Sequence, residues 1–276
     1  MVGKLGLGSL LLAALMAGLL VLLGGPGAQA AGACGSTALA HRGAHSGTVD
    51  ENTIESIERA HQLGAWTEND VFLTKDGKFV VIHNQGIGHT TNCVGDVKNW
   101  LLADIRQQCH TTPNGMEIPT APEAFATLAG NSGQLMNLEV KGPGWFANGN
   151  AKLAELYQAA ASAGVGGRVF FSNDATYEIL TGLRDSAPDA KTAWKPDPDE
   201  PDFSTVHASQ LSVNAVMAWG SQWTSQKVTA FKSAGFRPWG KRSDNQSVWR
   251  HNWTIGLKAQ LTNFPGAYRT WCNSVA

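Results

Sequence analysis

Residues 65–83 read AWTENDVFLTKDGKFVVIH, in which two apolar runs are separated by the tight-turn sequence Lys75-Asp76-Gly77. We expect the runs 66–74 and 79–83 to pair as a hairpin, because Asp-Gly favours the turns that join antiparallel strands. This hairpin decides the fold because it sets the strand count. When it is counted as one strand with an extension, the chain has the eight strands that close a (β/α)₈ barrel.

The rest of the chain alternates between short apolar runs and segments of helical periodicity. Such alternation predicts a parallel sheet whose strands are connected by helices. The first helix is marked by the capping pattern Asn52-x-x-Glu55 and by a stop at Gly64. The other predicted strands lie near 37–42, 135–141, 168–173, 191–195, 214–219, 236–240 and 258–264, and the predicted helices are 52–63, 151–163, 175–184, 224–234 and 243–253.

Two stretches fall outside this alternation. Residues 84–120 contain two cysteines and one short helical segment at 98–107, and we interpret them as a small insertion after the second strand of a single domain, 31–276. Residues 1–30 combine a lysine, an apolar run and an A-x-A cleavage site, which predicts a secretory signal peptide and a secreted protein. An uncleaved membrane anchor is the alternative, because the apolar run is nearly long enough to span a bilayer.

An exported chain with four cysteines is expected to form two disulfides. Three pairings are possible. We favour Cys34–Cys272, which would staple the neighbouring ends of a closed barrel, and Cys93–Cys109, which would close a local loop. The formal charge is −1 and there is no basic stripe, so the sequence gives no reason to propose a nucleic-acid partner. The oligomeric state is left open.

Carboxylates stand near the ends of two predicted strands, where barrel enzymes carry their reactive groups. Glu68 and Asp70 are two residues apart on one strand and therefore point to the same face, and Glu139 lies near the end of another. Carboxylates that converge at a barrel mouth repel one another and lose solvation. A divalent cation would relieve that cost, and an all-oxygen ligand set favours Mg²⁺ or Ca²⁺. We predict one such cation on these three residues.

Two histidines and two basic residues share the same rim. His41 and His83 end two strands and are suited to general acid–base catalysis near neutral pH. Arg42 and Lys141 supply positive charge of the kind that binds phosphate. The combination predicts phosphoryl chemistry, with histidines that move protons beside charges that stabilise the transition state. Which histidine is the acid and which is the base is left open.

Several short segments follow one another in a characteristic order along the chain: Leu39-Ala-His-Arg-Gly43, Glu51-Asn52-Thr53, Glu68-Asn-Asp-Val71, Leu73-Thr-Lys-Asp-Gly77, Val80-Val-Ile-His83, Ile118-Pro119, Asn137-Leu-Glu-Val-Lys141 and Leu261-Thr-Asn-Phe-Pro265. In order and spacing they resemble the glycerophosphodiester phosphodiesterases. The resemblance implies a (β/α)₈ barrel with an insertion after the second strand. It also implies the roles given above to the two histidines, the two basic residues and the three carboxylates.

The chain departs from that family pattern in three places. Asn84 follows His83 where the family usually has Asp, and Asn263 follows Thr262 where the family again has Asp. Lys241 ends a Pro-Trp-Gly-Lys segment where the family tends to have Trp-Thr-x-Asn. These departures leave the identity of the substrate open. The Thr-Asn-aromatic-Pro ending also resembles the related phospholipase D and sphingomyelinase D toxins, which release the head groups of choline lipids.

Several tryptophans lie at or just after predicted strand ends. We predict that some of them form an aromatic wall that holds a quaternary ammonium by cation–π attraction or an acyl chain by burial, and we place Trp219 and Trp239 in it. Packing of helices on the barrel is the alternative. Aromatic residues at the rim would also allow transient contact with a membrane surface. The five candidates are Trp145, Trp194, Trp219, Trp223 and Trp239.

Three functions follow from these observations. The first is a secreted, metal-dependent phosphodiesterase that hydrolyses glycerophosphodiesters to glycerol 3-phosphate and an alcohol. The second keeps the chemistry but acts on choline lipids or lysophospholipids, as a phospholipase D or sphingomyelinase D would. The third, of another class, is a catalytically inactive secreted protein that binds lipid head groups.

Overall fold

The computed structural model of the chain describes residues 35–174 and 176–275. Its strands are β1 (Thr37–His41), β2 (Trp66–Leu73), β3 (Phe79–Val81), β4 (Met136–Val140), β5 (Ala147–Asn150), β6 (Val169–Asn173), β7 (Lys191–Trp194), β8 (Ala215–Ala218), β9 (Arg237–Gly240) and β10 (Ala259–Thr262). Within these residues, eight parallel strands follow the order β1, β10, β9, β8, β7, β6, β4 and β2. The pairing of β2 with β1 closes the barrel, which confirms the predicted fold.

The predicted hairpin forms as an antiparallel pair. Val71 of β2 lies opposite Val81 of β3, and Leu73 lies opposite Phe79. Because β3 pairs with β2 at the end of the strand order, it extends one barrel strand and does not enter the ring. The hairpin therefore contributes a single strand to the barrel, as its turn sequence predicts.

Helices follow most of the barrel strands and pack on the outside of the sheet. They are α1 (Ile54–Gln62), α2 (Leu102–Gln108), α3 (Ala121–Ala129), α4 (Ala151–Ser162), α5 (Glu178–Ser186), α6 (Thr205–Gln210), α7 (Ser225–Ser233), α8 (Gln246–Thr254) and α9 (Pro265–Val275), with 3₁₀ turns at Ile87–His89, Val97–Asn99, Gly166–Arg168 and Gly220–Gln222. Among the described helices, none combines the length and apolar character needed to cross a bilayer.

The sequence pattern does not predict α3, α6 or α9. Two of these helices carry proline in the first turn, Pro122 in α3 and Pro265 in α9. Proline there resembles a break in the sequence, yet the first turn tolerates it because its N–H groups have no partner within the helix. The helix α6 has only six residues, too few for its periodicity to be recognised.

The first helix begins at Ile54, two residues later than the predicted start at residue 52. Its N-cap is Thr53, whose hydroxyl accepts from the Ser56 backbone N–H. Asn52 has a left-handed backbone with φ of 57° and turns away from the helix. Its side chain instead donates to the Asp70 carboxylate, with an Nδ2–Oδ2 distance of 2.9 Å. Asn52 therefore supports the barrel mouth, and the capping pattern Asn52-x-x-Glu55 is wrong.

The interior of the barrel changes from apolar to charged along each strand. Side chains of a strand alternate between faces, so every second residue points inward. Leu39 and His41 share the inward face of β1, and Trp239 and Lys241 share that of β9. The apolar members pack together as a floor formed by Leu39, Phe170, Ala193, Ala215, Met217, Trp239, Ala259 and Leu261. The polar members, closer to the carboxyl ends of the strands, surround the mouth.

Residues 84–120 cover the hairpin with a small core of their own. Ile87, Val97 and Ile105 pack against Phe72 and Val80, which the hairpin turns outward. A disulfide joins Cys93 to Cys109 within this segment, in agreement with the favoured local pairing. Cys34 and the predicted signal peptide, 1–30, lie outside the described residues, so the pairing of Cys34 with Cys272 stays a prediction.

One histidine of the helical layer predicts how stability depends on pH. His61 of α1 is 8% exposed, and neither ring nitrogen has a hydrogen-bond partner among the described residues. Burial, with a smaller contribution from the charge of Arg168, lowers the pKa of His61 to about 4. The unfolded chain takes up this proton near pH 6.5, so the folded state loses stability as the pH falls from about 6.5 towards 4.

We expect His61→Phe to lose less free energy of unfolding between pH 7 and pH 5 than the parent protein does. Urea unfolding at the two pH values measures the difference. His110→Phe, at an exposed histidine of the insertion, is the control and should keep the parental pH dependence. An unchanged pH dependence in His61→Phe would show that the buried ring does not contribute.

Candidate active site

The carboxyl ends of the barrel strands surround a cavity of about 240 Å³. Strand register brings its polar residues together, since His41 pairs with Glu68 across β1 and β2, and Asp70 pairs with Glu139 across β2 and β4. All predicted catalytic, phosphate-binding and metal-binding residues line the cavity. The lining consists of His41, Arg42, Glu68, Asp70, His83, Glu139, Lys141, Asp174, Lys195, Met217, Trp219, Lys241, Arg242 and Leu261.

Three buried carboxylates form the acidic part of the cavity. One oxygen from each of Glu68, Asp70 and Glu139 lies within 4.8 Å of the others. Burial and the neighbouring charge of Asp70 raise the pKa of Glu68 to about 8, although Lys195 opposes the shift. Carboxylates held this close and this dry fit a hard divalent cation, which would bind all three and favour their charged forms.

Lys195, which the sequence analysis does not assign to the site, is the cation at the centre of this group. It follows β7 on the inward face, and its buried ammonium contacts Glu139 and lies 3.6 Å from Glu68 Oε1 and 3.7 Å from Asp174 Oδ1. Although burial alone would lower its pKa, the three carboxylates raise it. The sequence contained a signal for this role, because Lys195 ends a predicted strand at a position that points into the barrel.

Lys141 bridges two carboxylates from the other side of the cavity. Its ammonium lies 3.0 Å from Asp70 Oδ1 and 3.4 Å from Glu139 Oε1. Burial raises the pKa of Glu139, but the charges of Lys195 and Lys141 outweigh it and lower that pKa to about 2. Glu139 is therefore charged at neutral pH, while Glu68 holds its proton more readily than Glu139 does.

The His41-Arg42-Gly43 turn is shaped by backbone geometry. Arg42 has φ of 57° and Gly43 has φ of 77°, a left-handed pair. A Cβ on Gly43 would lie 2.2 Å from the Ser56 hydroxyl, so only glycine fits there. The turn directs the Arg42 backbone N–H to Glu68 at 3.1 Å and the Arg42 guanidinium to both oxygens of Glu51 at 3.0 Å.

A chain of hydrogen bonds fixes the tautomer of His41. Asp244 accepts from the Asn263 side-chain N–H at 2.6 Å and from its backbone N–H at 2.8 Å. The Asn263 carbonyl oxygen therefore faces His41 Nδ1, 2.7 Å away, and that nitrogen carries the hydrogen. Burial lowers the pKa of His41 to about 3. The Asn263 hydrogen bond is the next-largest influence and opposes this shift, and the charges of Arg42, Arg242 and Lys195 each add a smaller lowering effect. His41 is thus neutral, with Nε2 as an acceptor.

His83 completes the pair on the hairpin side of the cavity. Its Nδ1 lies 3.1 Å from Asn84 Oδ1. Burial lowers the pKa of His83; the Asp70 carboxylate opposes this shift, Lys141 and Arg42 add to it, and Glu51 opposes it more weakly. The charges that shift the pKa of His83 are thus of both signs, whereas those that shift the pKa of His41 are all cations.

The tryptophans divide between the cavity and the core. Trp219 lines the cavity, and the Lys241 ammonium lies 5.2 Å from its ring centroid. Trp239 does not belong to the predicted wall, because it packs in the barrel floor with ring centroids 6.0 Å from Trp66 and 5.0 Å from Phe170. It precedes Lys241 by two residues on the same face and so lies deeper. Trp145, Trp194 and Trp223 are buried in clusters outside the barrel.

Comparisons with known proteins point to one family. The model of the glycerophosphoryl diester phosphodiesterase family matches residues 41–267. A glycerophosphodiester phosphodiesterase of Caldanaerobacter subterraneus subsp. tengcongensis is 43% identical over 109 residues, which cover 37% of this chain and 44% of that protein. The match thus spans less than half the length of this curated relative.

Solved structures share the fold over nearly the whole barrel. A glycerophosphodiester phosphodiesterase from Parabacteroides distasonis has a TM-score of 0.73 at 17% identity, covering 87% of this chain and 98% of that one. A phosphodiesterase from Oleispira antarctica, in complex with the product sn-glycerol-3-phosphate, has a TM-score of 0.70 at 24% identity, covering 85% of this chain and 96% of that one.

The acidic cluster predicts metal-dependent stability. We expect millimolar Mg²⁺ or Ca²⁺ to raise the melting temperature, because a ligand that binds only the folded state stabilises it by about 2.7 kcal/mol at a hundredfold excess over Kd. Glu139→Gln should remove most of the rise, whereas Glu58→Gln, at an exposed position of α1, should keep it. Differential scanning calorimetry with and without metal measures both. A full metal-induced rise in Glu139→Gln would exclude this cluster as the binding site.

Proposed function

The chain belongs to the glycerophosphoryl diester phosphodiesterase family, and we propose that it hydrolyses glycerophosphodiesters to sn-glycerol 3-phosphate and an alcohol with one divalent cation. The observation that carries the proposal is a single cavity lined by two histidines, three clustered carboxylates and several basic side chains. The Oleispira antarctica phosphodiesterase, which holds sn-glycerol-3-phosphate as product, supports the choice of product.

Glu68, Asp70 and Glu139 would hold the cation, either Mg²⁺ or Ca²⁺. When bound, the cation would polarise the phosphate oxygens and offset the charge that develops on them. Lys141 stands beside two of these carboxylates and supplies a positive charge to the same phosphate. Arg42 lines the cavity next to them, and its Nε has no hydrogen-bond partner among the described residues. The cavity therefore binds a phosphate diester at its cationic side.

His41 and His83 move the protons of the reaction. His41 is neutral and presents Nε2 as an acceptor, so it removes the proton from the attacking hydroxyl group. If that hydroxyl belongs to water, glycerol 3-phosphate forms directly; if it belongs to the glycerol, the alcohol leaves first and water then opens the cyclic phosphate. His83, whose protonated form the Asp70 carboxylate favours against the effect of burial, donates a proton to the leaving alcohol. Positioned acid–base groups of this kind contribute about 10²- to 10⁴-fold each.

We also propose that the protein is exported. The support is the sequence pattern of residues 1–30 and the Cys93–Cys109 disulfide, since disulfides persist in oxidising compartments. Detection of the mature chain in the culture medium, with a new N-terminus near residue 31, is the experiment that tests this part of the proposal.

Turnover of glycerophosphoglycerol by the purified mature protein tests the main proposal. We expect activity that EDTA removes and that Mg²⁺ or Ca²⁺ restores. His41→Ala and His83→Ala should each lower kcat by about 10³-fold, because each removes one proton-transfer group. His110→Ala, at an exposed histidine, should stay at the parental rate. Activity that survives either cavity variant would contradict the acid–base pair, and no turnover with either cation would contradict the function.

The hydrogen bond from Asn263 predicts a second effect on kcat. Because this bond raises the pKa of His41, Asn263→Ala should lower that pKa and leave the ring free to turn. We expect kcat to fall about tenfold or more, with KM unchanged and the acidic limb of the kcat profile moved to lower pH. Asn131→Ala, at the opposite end of the barrel, is the control. A limb that stays in place would show that Asn263 does not act through His41.

A further inference from the structure

A groove leaves the catalytic cavity between β8 and β9. It has a volume of about 560 Å³, within the range of small-molecule sites. Trp219, Lys241 and Arg242 line both the groove and the catalytic cavity. The two spaces therefore adjoin, so a substrate whose phosphate lies in the cavity can extend towards the groove. The groove takes no part in the proton transfers and phosphate contacts that we propose for the cavity.

Among the described residues, the lining of the groove carries positive charge that carboxylates outside the lining offset only in part. Its lining contains Lys241 and Arg242 and no carboxylate among the described residues. Arg242 makes no ion pair or hydrogen bond within the described part of the chain, and it is exposed. The nearest carboxylate in the sequence, Asp244, is hydrogen-bonded to Thr262 at 2.8 Å and to Asn263, and the charge of Arg242 helps to lower its pKa without an ion-pair contact. The groove differs in this respect from the acidic part of the cavity, where Lys195 and Lys141 each face two or more carboxylates.

Lys241 is only weakly neutralised. Its ammonium lies 3.4 Å from Asp174 Oδ1, the same oxygen that lies 3.7 Å from Lys195. One carboxylate is thus shared by two ammonium groups. Lys241 also lies over the ring of Trp219, 5.2 Å from its centroid, where it takes the place that a ligand cation would need. A choline group on this ring face would meet the Lys241 ammonium.

Polar groups for an anion complete the groove. The residues Ser221, Ser243 and Ser247 line it together with the two cations. A guanidinium binds phosphate through two parallel N–H donors, and hydroxyl and ammonium groups supply further charge-assisted hydrogen bonds. The side of the groove formed by Lys241, Arg242 and these hydroxyl groups therefore suits a phosphate group and disfavours a quaternary ammonium, while Trp219 and Val248 form its apolar side.

We propose that this groove binds a second phosphate group of the substrate, so that the protein prefers phosphodiesters carrying a further phosphate over neutral and cationic ones. The preference rests on the proposed phosphodiesterase function and names its substrate class. Arg242 and Lys241 are its specificity-determining residues. The ring of Trp219 forms one side of this anion site, and the cation over the ring is the Lys241 ammonium of the protein itself.

Two substrates with the same linkage test the preference. Bis(glycerophospho)glycerol carries a second phosphate whichever of its two diesters enters the cavity, and glycerophosphoglycerol carries none. We expect kcat/KM for the first to exceed that for the second by tenfold or more, beyond the twofold advantage of having two cleavable bonds. Glycerophosphocholine should be the poorest of the three. The advantage should shrink in high salt, because exposed charges are screened.

Charge variants assign the effect to the groove. Arg242→Gln and Lys241→Gln should each move the ratio of the two kcat/KM values towards two. Lys258→Gln removes an equal charge before β10, at the opposite end of the barrel, and should leave the ratio as in the parent. A parental ratio of two or less, with both diesters hydrolysed, would overturn the inference and leave the phosphodiesterase function standing.

A binding measurement keeps the two proposals separable. Isothermal titration calorimetry compares glycerol 1,3-bisphosphate with glycerol 3-phosphate on the metal-loaded protein. Tenfold tighter binding of the bisphosphate, lost in Arg242→Gln and kept in Lys258→Gln, would support the anion site even if no diester were hydrolysed. Equal affinities would overturn it.

Discussion

Three carboxylates buried within 4.8 Å of one another impose the central constraint on this molecule. Charged groups taken out of water destabilise a fold unless other charges and hydrogen bonds compensate them. Here the compensation comes from Lys195 and Lys141, whose ammonium groups lie among the carboxylates. Removing one partner of a buried pair typically costs about 3–5 kcal/mol. The same arrangement that makes the cluster tolerable also makes it able to receive a cation, because the carboxylates already converge.

The barrel can hold such a cluster because its interior is graded. The inward residues of each strand run from an apolar floor to a polar mouth, so the charges rest on packed side chains such as Trp239, Phe170 and Met217. The backbone around the cluster is equally constrained. Asn52 and Arg42 have left-handed φ angles, and the left-handed Gly43 beside Arg42 has no room for a side chain. These features direct an amide and a guanidinium to the carboxylates from the β1–α1 loop.

Positive charge is divided between two parts of the same mouth. In the acidic part of the cavity, lysines are matched by carboxylates and the local charge is nearly balanced. At the groove between β8 and β9, Lys241 shares the Asp174 carboxylate with Lys195, and Arg242 makes no ion pair among the described residues. In the function we propose, this electrostatic difference would separate catalysis from selection. The balanced region would hold the cation and the reacting phosphate, and the unbalanced region would distinguish what is attached to that phosphate.

The sequence by itself determined the barrel, its strands and seven of the cavity residues, because these depend on local patterns. Period-two spacing places Glu68 and Asp70 on one face, and a tight turn defines the hairpin. Only the tertiary structure decided the roles of Lys195, Asn263 and Trp239. Lys195 meets Glu139 across 56 positions of the chain, and Asn263 meets His41 across 222. Trp239 lies at a strand end in the sequence but below the mouth in space. How deep a side chain lies in the barrel, and which charged groups surround it, depends on strands that barrel closure brings together. The local spacing of residues in the sequence does not contain this information.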